Sequence, residues 1–232
     1  MGISVGLVGL GSFGTLHALT VLGLAEARLA AVVARRQASL DAFAARAPGI
    51  PGYLDLDAAL AAGGIDGWIV ASSTPTHVPL ARQLLAAGQK VLVEKPLAAS
   101  LDEALALQDV AEPASQCLMV GHILLFNSEF RQLLELLPRS GPIRYIDAVR
   151  HRPVRTLELY PGESPFHLTM THDLYCVQVL RGGAEPIGFS AHVHRNGRGQ
   201  DDLAAARLQW ADGTIASLTA SFLAPPGMPT DG

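Results

Sequence analysis

Residues 2–16, GISVGLVGLGSFGTL, decide the fold. Ile3 to Leu10 is an apolar run of strand length, Ser12 onward takes up the apolar spacing of a helix, and Gly9, Gly11 and Gly14 lie between. Gly9 permits a tight turn, Gly11 leaves no Cβ where a pyrophosphate approaches the backbone, and Gly14 lets helix and strand pack closely. The helix start at Ser12 and Phe13 then offers unpaired N–H groups and a favourable dipole to phosphates. The turn therefore predicts dinucleotide binding at the N-terminal end of the chain.

The residues that follow repeat the pattern. Leu29 to Ala34 reads as a second strand, Ala38 to Arg46 as a helix stopped by Pro48, and the neighbourhood of Tyr53 as a brief strand. Asp55 or Asp57 caps a helix over Ala58 to Ala62 that Gly63 and Gly64 end. Trp68 to Ser72 is a strand, Val78 to Ala87 a helix, and Lys90 to Glu94 a strand. A helix capped by Ser100 runs to about Glu112, and Cys117 to Val120 is one more strand. Strand and helix alternate with near-continuous apolar strands, which predicts a doubly wound parallel sheet covered on both faces, over residues 1–121. Ligands of such sheets bind at the carboxyl ends of the strands. Those ends carry Gly9 to Gly14, Arg35, Thr74 to His77, Glu94 to Pro96, and Gly121 with His122, and Arg36 and Ser73 beside them join the candidate cofactor-binding residues.

About 20 residues beyond the glycines, NAD-binding sheets place an acid on the ribose 2′-hydroxyl. Here the second strand ends in Arg35 and Arg36 without a carboxylate. Guanidinium groups suit a 2′-phosphate through charge-assisted hydrogen bonds, so NADP is favoured over NAD.

Composition bounds the rest. Of 232 residues 49% are apolar and 16% charged, with no apolar run near the roughly 18 residues of a membrane span, and the N-terminus opens on a core strand rather than a basic leader. These features predict a soluble, cytoplasmic protein. Its net charge of −4, without a basic stripe, argues against nucleic acid as a partner. Cys117 and Cys176 sit in apolar surroundings as reduced thiols. Lysine occurs only at Lys90 and Lys95 among 17 basic residues, which draws attention to both as places where a compact ammonium is wanted.

Past Gly121 the pattern changes. Asn127 to Leu137 is an amphipathic helix, and Ile143 to Arg152 an alternating strand. A loop over Pro153 to Pro165 leads to a helix from Phe166 to Leu180. Pro186 to Arg195, Leu203 to Trp210 and Thr214 to Leu223 are strands, the last two joined by the hairpin signal Asp212–Gly213. Residues 122–232 therefore form an α+β domain with an open, mostly antiparallel sheet. His192 and His194 share one strand face, as a solvated or substrate-facing pair; without a third ligand at suitable spacing, no metal is expected.

Three stretches, GLVGLGSFGTLHA, STPTHVPLARQLLAAGQKVLVEKPLA and GHILLFNSEF, resemble the glucose-fructose oxidoreductase, inositol dehydrogenase and rhizopine-catabolism (Gfo/Idh/MocA) family. The resemblance implies a Rossmann domain followed by a substrate-binding α+β domain whose open sheet makes a homo-oligomer contact. It also implies hydride exchange between NAD(P) and a carbinol or ketone of a sugar, cyclitol or related small molecule. Gly9, Gly11 and Gly14 would hold the pyrophosphate, Thr74, Pro75 and His77 would lie along the cofactor, and Lys95 would face substrate, with Glu94 pairing with it or touching the nicotinamide ribose. An ammonium at Lys95 stabilises a developing alkoxide.

The family's acid–base pair, Asp-x-x-x-His, falls on Leu168 and His172, so the histidine is present and the aspartate is not. His167 points about 100° away on a regular helix. Lys95 and His172 are thus the expected catalytic residues; alternatively, His172 packs at the domain interface and the chain is a cofactor-binding sensor or regulator without turnover. A third reading keeps an enzyme but reduces a conjugated double bond, as biliverdin reductases do. The family continues beyond a point corresponding to Leu223, so the second domain is expected in shortened form or with its sheet completed by another chain.

Overall fold

Val5, Leu7 and Val8 are buried within β1 (Ile3–Val8), which lies inside a six-stranded parallel sheet. The other strands are β2 (Ala27–Val33), β3 (Gly52–Tyr53), β4 (Gly67–Val70), β5 (Lys90–Val93) and β6 (Leu118–Val120), in the order β3-β2-β1-β4-β5-β6. The strand order reverses at β1, which opens a crevice between β1 and β4 at their carboxyl ends. Helices α1 (Ser12–Leu22) and α2 (Gln37–Arg46) close one face over Leu7, Leu29 and Val32, using Ala18, Val21 and Phe43. Helices α3 (Leu56–Ala62) and α4 (His77–Ala86) close the other over Val8, Trp68, Val70 and Val93. The computed structural model describes residues 2–111, 117–225 and 227–228. It divides into two units, Met1–Gly121 and His122–Gly232.

One expected helix is broken. Ser100 caps α5 (Leu101–Leu105) by accepting the Glu103 N–H at 3.2 Å, but the chain leaves the helix and restarts as α6 (Gln108–Ala111). The break lets Leu107, 1% exposed, reach the core, and it frees the Ala106 carbonyl to accept from the Arg82 guanidinium. Glu112, the expected end, lies outside the described residues, as do residues 226 and 229–232 of the proline-rich tail.

The second unit holds α7 (Ser128–Ser140), β7 (Tyr145–Pro153), α8 (Thr156–Leu159), α9 (Thr171–Leu180), β8 (Gly188–Arg195), β9 (Asp201–Gln209) and β10 (Ile215–Ala224). Its sheet runs β7-β10-β9-β8, antiparallel except for the β7–β10 pair. Met170 and Val177 pack on Ala204, Ala216, Leu218 and Ala220 of β9 and β10. Gly213, at φ +85°, turns the β9–β10 hairpin, and Asp212 Oδ1 accepts the Thr214 N–H at 3.0 Å.

Two expectations here need correction. Residues 153–165 are not all loop, because α8 forms within them. The helix expected from Phe166 begins instead as a π-helical turn, Phe166–Met170, and becomes regular only at Thr171. The Thr171 hydroxyl bridges the widened turn, donating to the Phe166 carbonyl at 3.0 Å and the His167 carbonyl at 3.1 Å. Among the described residues no helix is long and apolar enough to cross a membrane.

Candidate functional site

The β1–α1 turn is built by its glycines. Gly9 sits at φ +101°, and its N–H donates to the Val33 carbonyl at 2.9 Å. A Cβ on Gly14 would come 1.9 Å from the Gly9 carbonyl oxygen, so α1 starts this close to the strand only because that position is bare. A Cβ on Gly11 would meet no protein atom within 4 Å. Gly11 is also the N-cap of α1, which has neither a side-chain cap nor an acidic residue in its first turn. Uncapped amides beside an open, side-chain-free position fit a dinucleotide pyrophosphate, which brings acceptor oxygens and negative charge to such helix starts.

The carboxyl ends of β2, β4 and β5 bring further expected residues to the same sheet edge. Arg35 and Arg36 are exposed after β2, with Arg36 as the N-cap of α2. The acid of α2, Asp41, accepts from Gln37 Nε2 at 2.8 Å, and Ala34, Arg35 and Arg36 at the strand tip include no carboxylate. Thr74, Pro75 and Thr76 form a 3₁₀ turn after β4, steadied by the Ser72–Thr76 hydroxyl pair at 2.6 Å and by Thr76 Oγ1 donating to the Ser73 carbonyl at 2.7 Å.

His77 is 1% exposed, with Nδ1 2.8 Å from the Pro96 carbonyl and Nε2 3.1 Å from the Ser72 carbonyl. Both nitrogens therefore face backbone within this unit. Its place is that of a clasp joining the loop after β4 to the loop after β5.

Glu94 and Lys95 follow β5, both half-buried. One Glu94 oxygen lies 2.8 Å from His17 Nε2 and the other accepts the Lys95 backbone N–H at 3.0 Å. Burial works against the Glu94 charge, but the hydrogen bond and charge of His17, helped by Lys95, outweigh it and lower the pKa. Sequence reasoning missed His17. It lies on α1 one turn past Gly14, and only the fold carries it over the end of β5.

In the second unit, His172 lies in the first turn of α9, with Nδ1 2.8 Å from the Tyr175 hydroxyl. That hydroxyl also accepts the Leu124 N–H at 3.1 Å, and the Tyr175 ring stacks on His122 at 4.1 Å with the planes 20° apart. Burial pushes the Tyr175 hydroxyl up to about 12 and the Cys176 thiol up to about 11, so both remain protonated near neutrality; burial lowers the His122 pKa. Next to His172, Asp173 is buried and receives the Arg150 guanidinium at 2.9 Å. Leu168 lies inside the π-helical turn, where the i to i+4 spacing of a regular helix does not hold, and His167 is exposed.

A cavity of about 390 Å³ opens beside α9, walled by His122, Tyr175, Leu208 and Trp210. His194 Nδ1 lies 2.6 Å from Asp202 Oδ1, and His151 Nδ1 lies 2.7 Å from Ser221 Oγ. Among the described residues no three His, Cys, Asp or Glu side chains come together as a metal site. Cys117 and Cys176 are free thiols.

The chain is similar to inositol 2-dehydrogenase of Rhizobium meliloti, with 30% identity over 200 residues, 82% of this chain and 58% of that protein. It is similarly related to UDP-N-acetylglucosamine 3-dehydrogenase of Acidithiobacillus ferrooxidans, with 30% identity over 219 residues, 93% of this chain and 66% of that one. The chain thus spans about three fifths to two thirds of the length of these curated relatives. Its fold matches scyllo-inositol dehydrogenase of Lactobacillus casei, solved with bound NAD(H) and scyllo-inositol, at a TM-score of 0.88 and 23% identity, over 98% of this chain and 72% of that one. Residues 3–122 match the model of an oxidoreductase family with an NAD-binding Rossmann fold. The chain belongs to that family, Gfo/Idh/MocA.

Proposed function

We propose that this protein moves a hydride between NADP and a carbinol or ketone of a cyclitol, sugar or related polyol. The observation that carries this reading is the gathering of the bare α1 start, Arg35, Arg36 and Lys95 at one sheet edge. The curated relatives, two dehydrogenases named for a cyclitol and for a nucleotide sugar, support the substrate class.

In this reading the first unit holds the dinucleotide. The amides of Gly11, Ser12, Phe13 and Gly14 take the pyrophosphate after the Gly9 turn, and Ser73, Thr74 and Pro75 line its path, with His77 bracing them. Arg35 and Arg36 take the 2′-phosphate of NADP, because two guanidinium groups without a competing acid favour phosphate over a bare ribose hydroxyl. When bound, the nicotinamide supplies the hydride acceptor. Lys95 holds the substrate oxygen and stabilises charge developing there, Glu94 fixes the segment that carries Lys95, and His172 of the second unit exchanges the hydroxyl proton. The second unit binds substrate and joins copies of the chain through its open sheet face, and the protein works in the cytoplasm.

Leu168 favours a second reading, a sensor that binds the dinucleotide without turnover. Fluorescence titration with NADPH and NADH, followed by a panel of inositols, sugars and keto-sugars read at the nicotinamide absorbance, separates the two. The enzyme reading expects tighter NADPH binding, turnover with a polyol, and losses of about 10²-fold or more in Lys95→Ala and His172→Ala. Binding without turnover across the panel leaves the sensor; no binding of either dinucleotide overturns both.

A further inference from the structure

The aspartate that the resemblance implies at position 168 is a leucine, whose side chain offers the His172 imidazole no hydrogen-bond acceptor. Tyr175 stands one turn along α9 with its hydroxyl 2.8 Å from Nδ1. The ring planes meet edge to face at 75°, with centroids 5.7 Å apart, which suits an in-plane hydrogen bond to the imidazole. Tyr175 is itself held from two further directions. Leu124, in the 3₁₀ turn Ile123–Phe126, donates its N–H to the hydroxyl, and His122 stacks on the ring. A side chain 5% exposed and fixed at both its ring and its oxygen is a rigid support for a neighbour.

We propose that Tyr175 is the positioning residue for His172: its hydroxyl holds Nδ1 and commits proton exchange with substrate to Nε2. The inference rests on the catalytic reading of His172 given above. A phenol and a carboxylate differ in what they do for an imidazole. A carboxylate only accepts, so it favours the ring with a proton on Nδ1 and stabilises the imidazolium by charge. A neutral phenol likewise accepts from a protonated Nδ1, the tautomer that leaves Nε2 bare to take a proton, and the same bond persists in the imidazolium without a countercharge. When the substrate hydroxyl gives its proton to Nε2, the Nδ1–H bond points at the Tyr175 oxygen. The reverse transfer returns the proton to the substrate oxygen without a change of charge on Tyr175. With Tyr175 neutral well above physiological pH, the pair carries at most the one charge of the imidazolium.

Tyr175→Phe removes the oxygen and keeps the ring that stacks on His122. In the full-length chain with NADP, the ¹⁵N resonances of the His172 imidazole are expected to move in this variant, Nδ1 most. With the fastest polyol of the panel, kcat is expected to fall about 10- to 100-fold while KM for NADP stays within about twofold. On a His172→Ala background, Tyr175→Phe should then cost nothing further, because a positioning residue acts through its partner. Unchanged His172 resonances, or losses that multiply in the double variant, overturn the assignment. Wild-type turnover in His172→Ala would refute the catalytic role of His172, and the resonances then decide the Tyr175 contact by themselves. Should Tyr175→Phe fail to fold, the unsubstituted protein decides: an Nδ1 resonance typical of a nitrogen without a hydrogen bond overturns the proposal.

Discussion

Gly11 and Gly14 are three residues apart in one turn, yet a methyl group does opposite things at the two positions. On Gly14 it would overlap the Gly9 carbonyl oxygen, a backbone atom that no rotamer change can move. Gly14→Ala is therefore expected to destabilise the protein by about 1–3 kcal/mol or more, read as a lower thermal midpoint without any ligand. On Gly11, at φ −75° and ψ −170°, the methyl meets no protein atom, and the backbone already suits an alanine. Gly11→Ala should leave the midpoint of the apo protein unchanged while weakening NADPH binding at least about tenfold, some 1.4 kcal/mol, because the methyl occupies the pyrophosphate's approach. A fall in stability with unchanged binding would show that Gly11 is structural. Arg35 and Arg36 call for the complementary measurement. If they hold the 2′-phosphate, replacing both with alanine removes charge-assisted bonds worth about 1.5–3 kcal/mol each. NADPH affinity then drops by tenfold or more while NADH affinity is nearly unchanged. Equal losses for the two dinucleotides would turn the assignment towards NAD.

At the scale of elements, a polar pair joins α1 to the end of β5. His17 reaches Glu94, and Glu94 in turn accepts the Lys95 amide, so the helix that begins the dinucleotide turn also steadies the segment that carries Lys95. Because the Glu94 pKa is lowered in the folded state, its ionised form adds stability above the ordinary glutamate range, and that contribution is lost as pH falls through the lowered value. Glu94→Gln should therefore shift the urea midpoint near neutral pH, and the difference from the unsubstituted protein should shrink once the pH has fallen below the lowered Glu94 value. A difference that persists there would point to shape rather than charge. Much of this unit was legible because β1, β2, β4 and β5 are apolar runs bounded by glycine, proline or polar turns, a local signal. What escaped was set by distant partners. The helix after Ser100 breaks because Leu107 has a place in the core and Ala106 has a donor in Arg82. Gly6 is bare because Trp68, its register partner on β4, lays its ring where a Cβ would stand, 2.5 Å from the nearest ring carbon. His17 carries no spacing rule with Glu94 that a sequence motif would register, whereas Tyr175 stands three residues past His172 on one helix face, a readable spacing that the departure at position 168 overshadowed. Leu168 was legible as a departure, but the π-helical turn that removes it from regular helical register was not.

At the scale of the whole molecule, the question is what the second unit's sheet does with its far side. Ile146 and Ala148 of β7 pack into the core under α9, so the alternating Tyr145, Asp147 and Val149 point the other way. Tyr145 and Val149 are 58% and 59% exposed, and the register places Ser217 and Thr219 of β10 beside Asp147 and Val149. An open face with an aromatic and a β-branched residue among small polar ones suits sheet-to-sheet packing between two copies, where a two-fold axis brings the same patch together. Phe189 is more exposed still, at 81%, but it pairs with Leu208 and so belongs to the face shared with α9. The two faces give the experiment its control. If association uses the open face, Tyr145→Arg with Val149→Arg should lower the mass measured by light scattering to that of one chain, through like charges meeting across the axis and lost apolar contact. Phe189→Ser should leave that mass unchanged, and all three substitutions should leave NADPH titration as it was, since they lie outside the dinucleotide unit. The same mass in the double arginine variant, or a mass lowered by Phe189→Ser alone, would move the contact away from the open face.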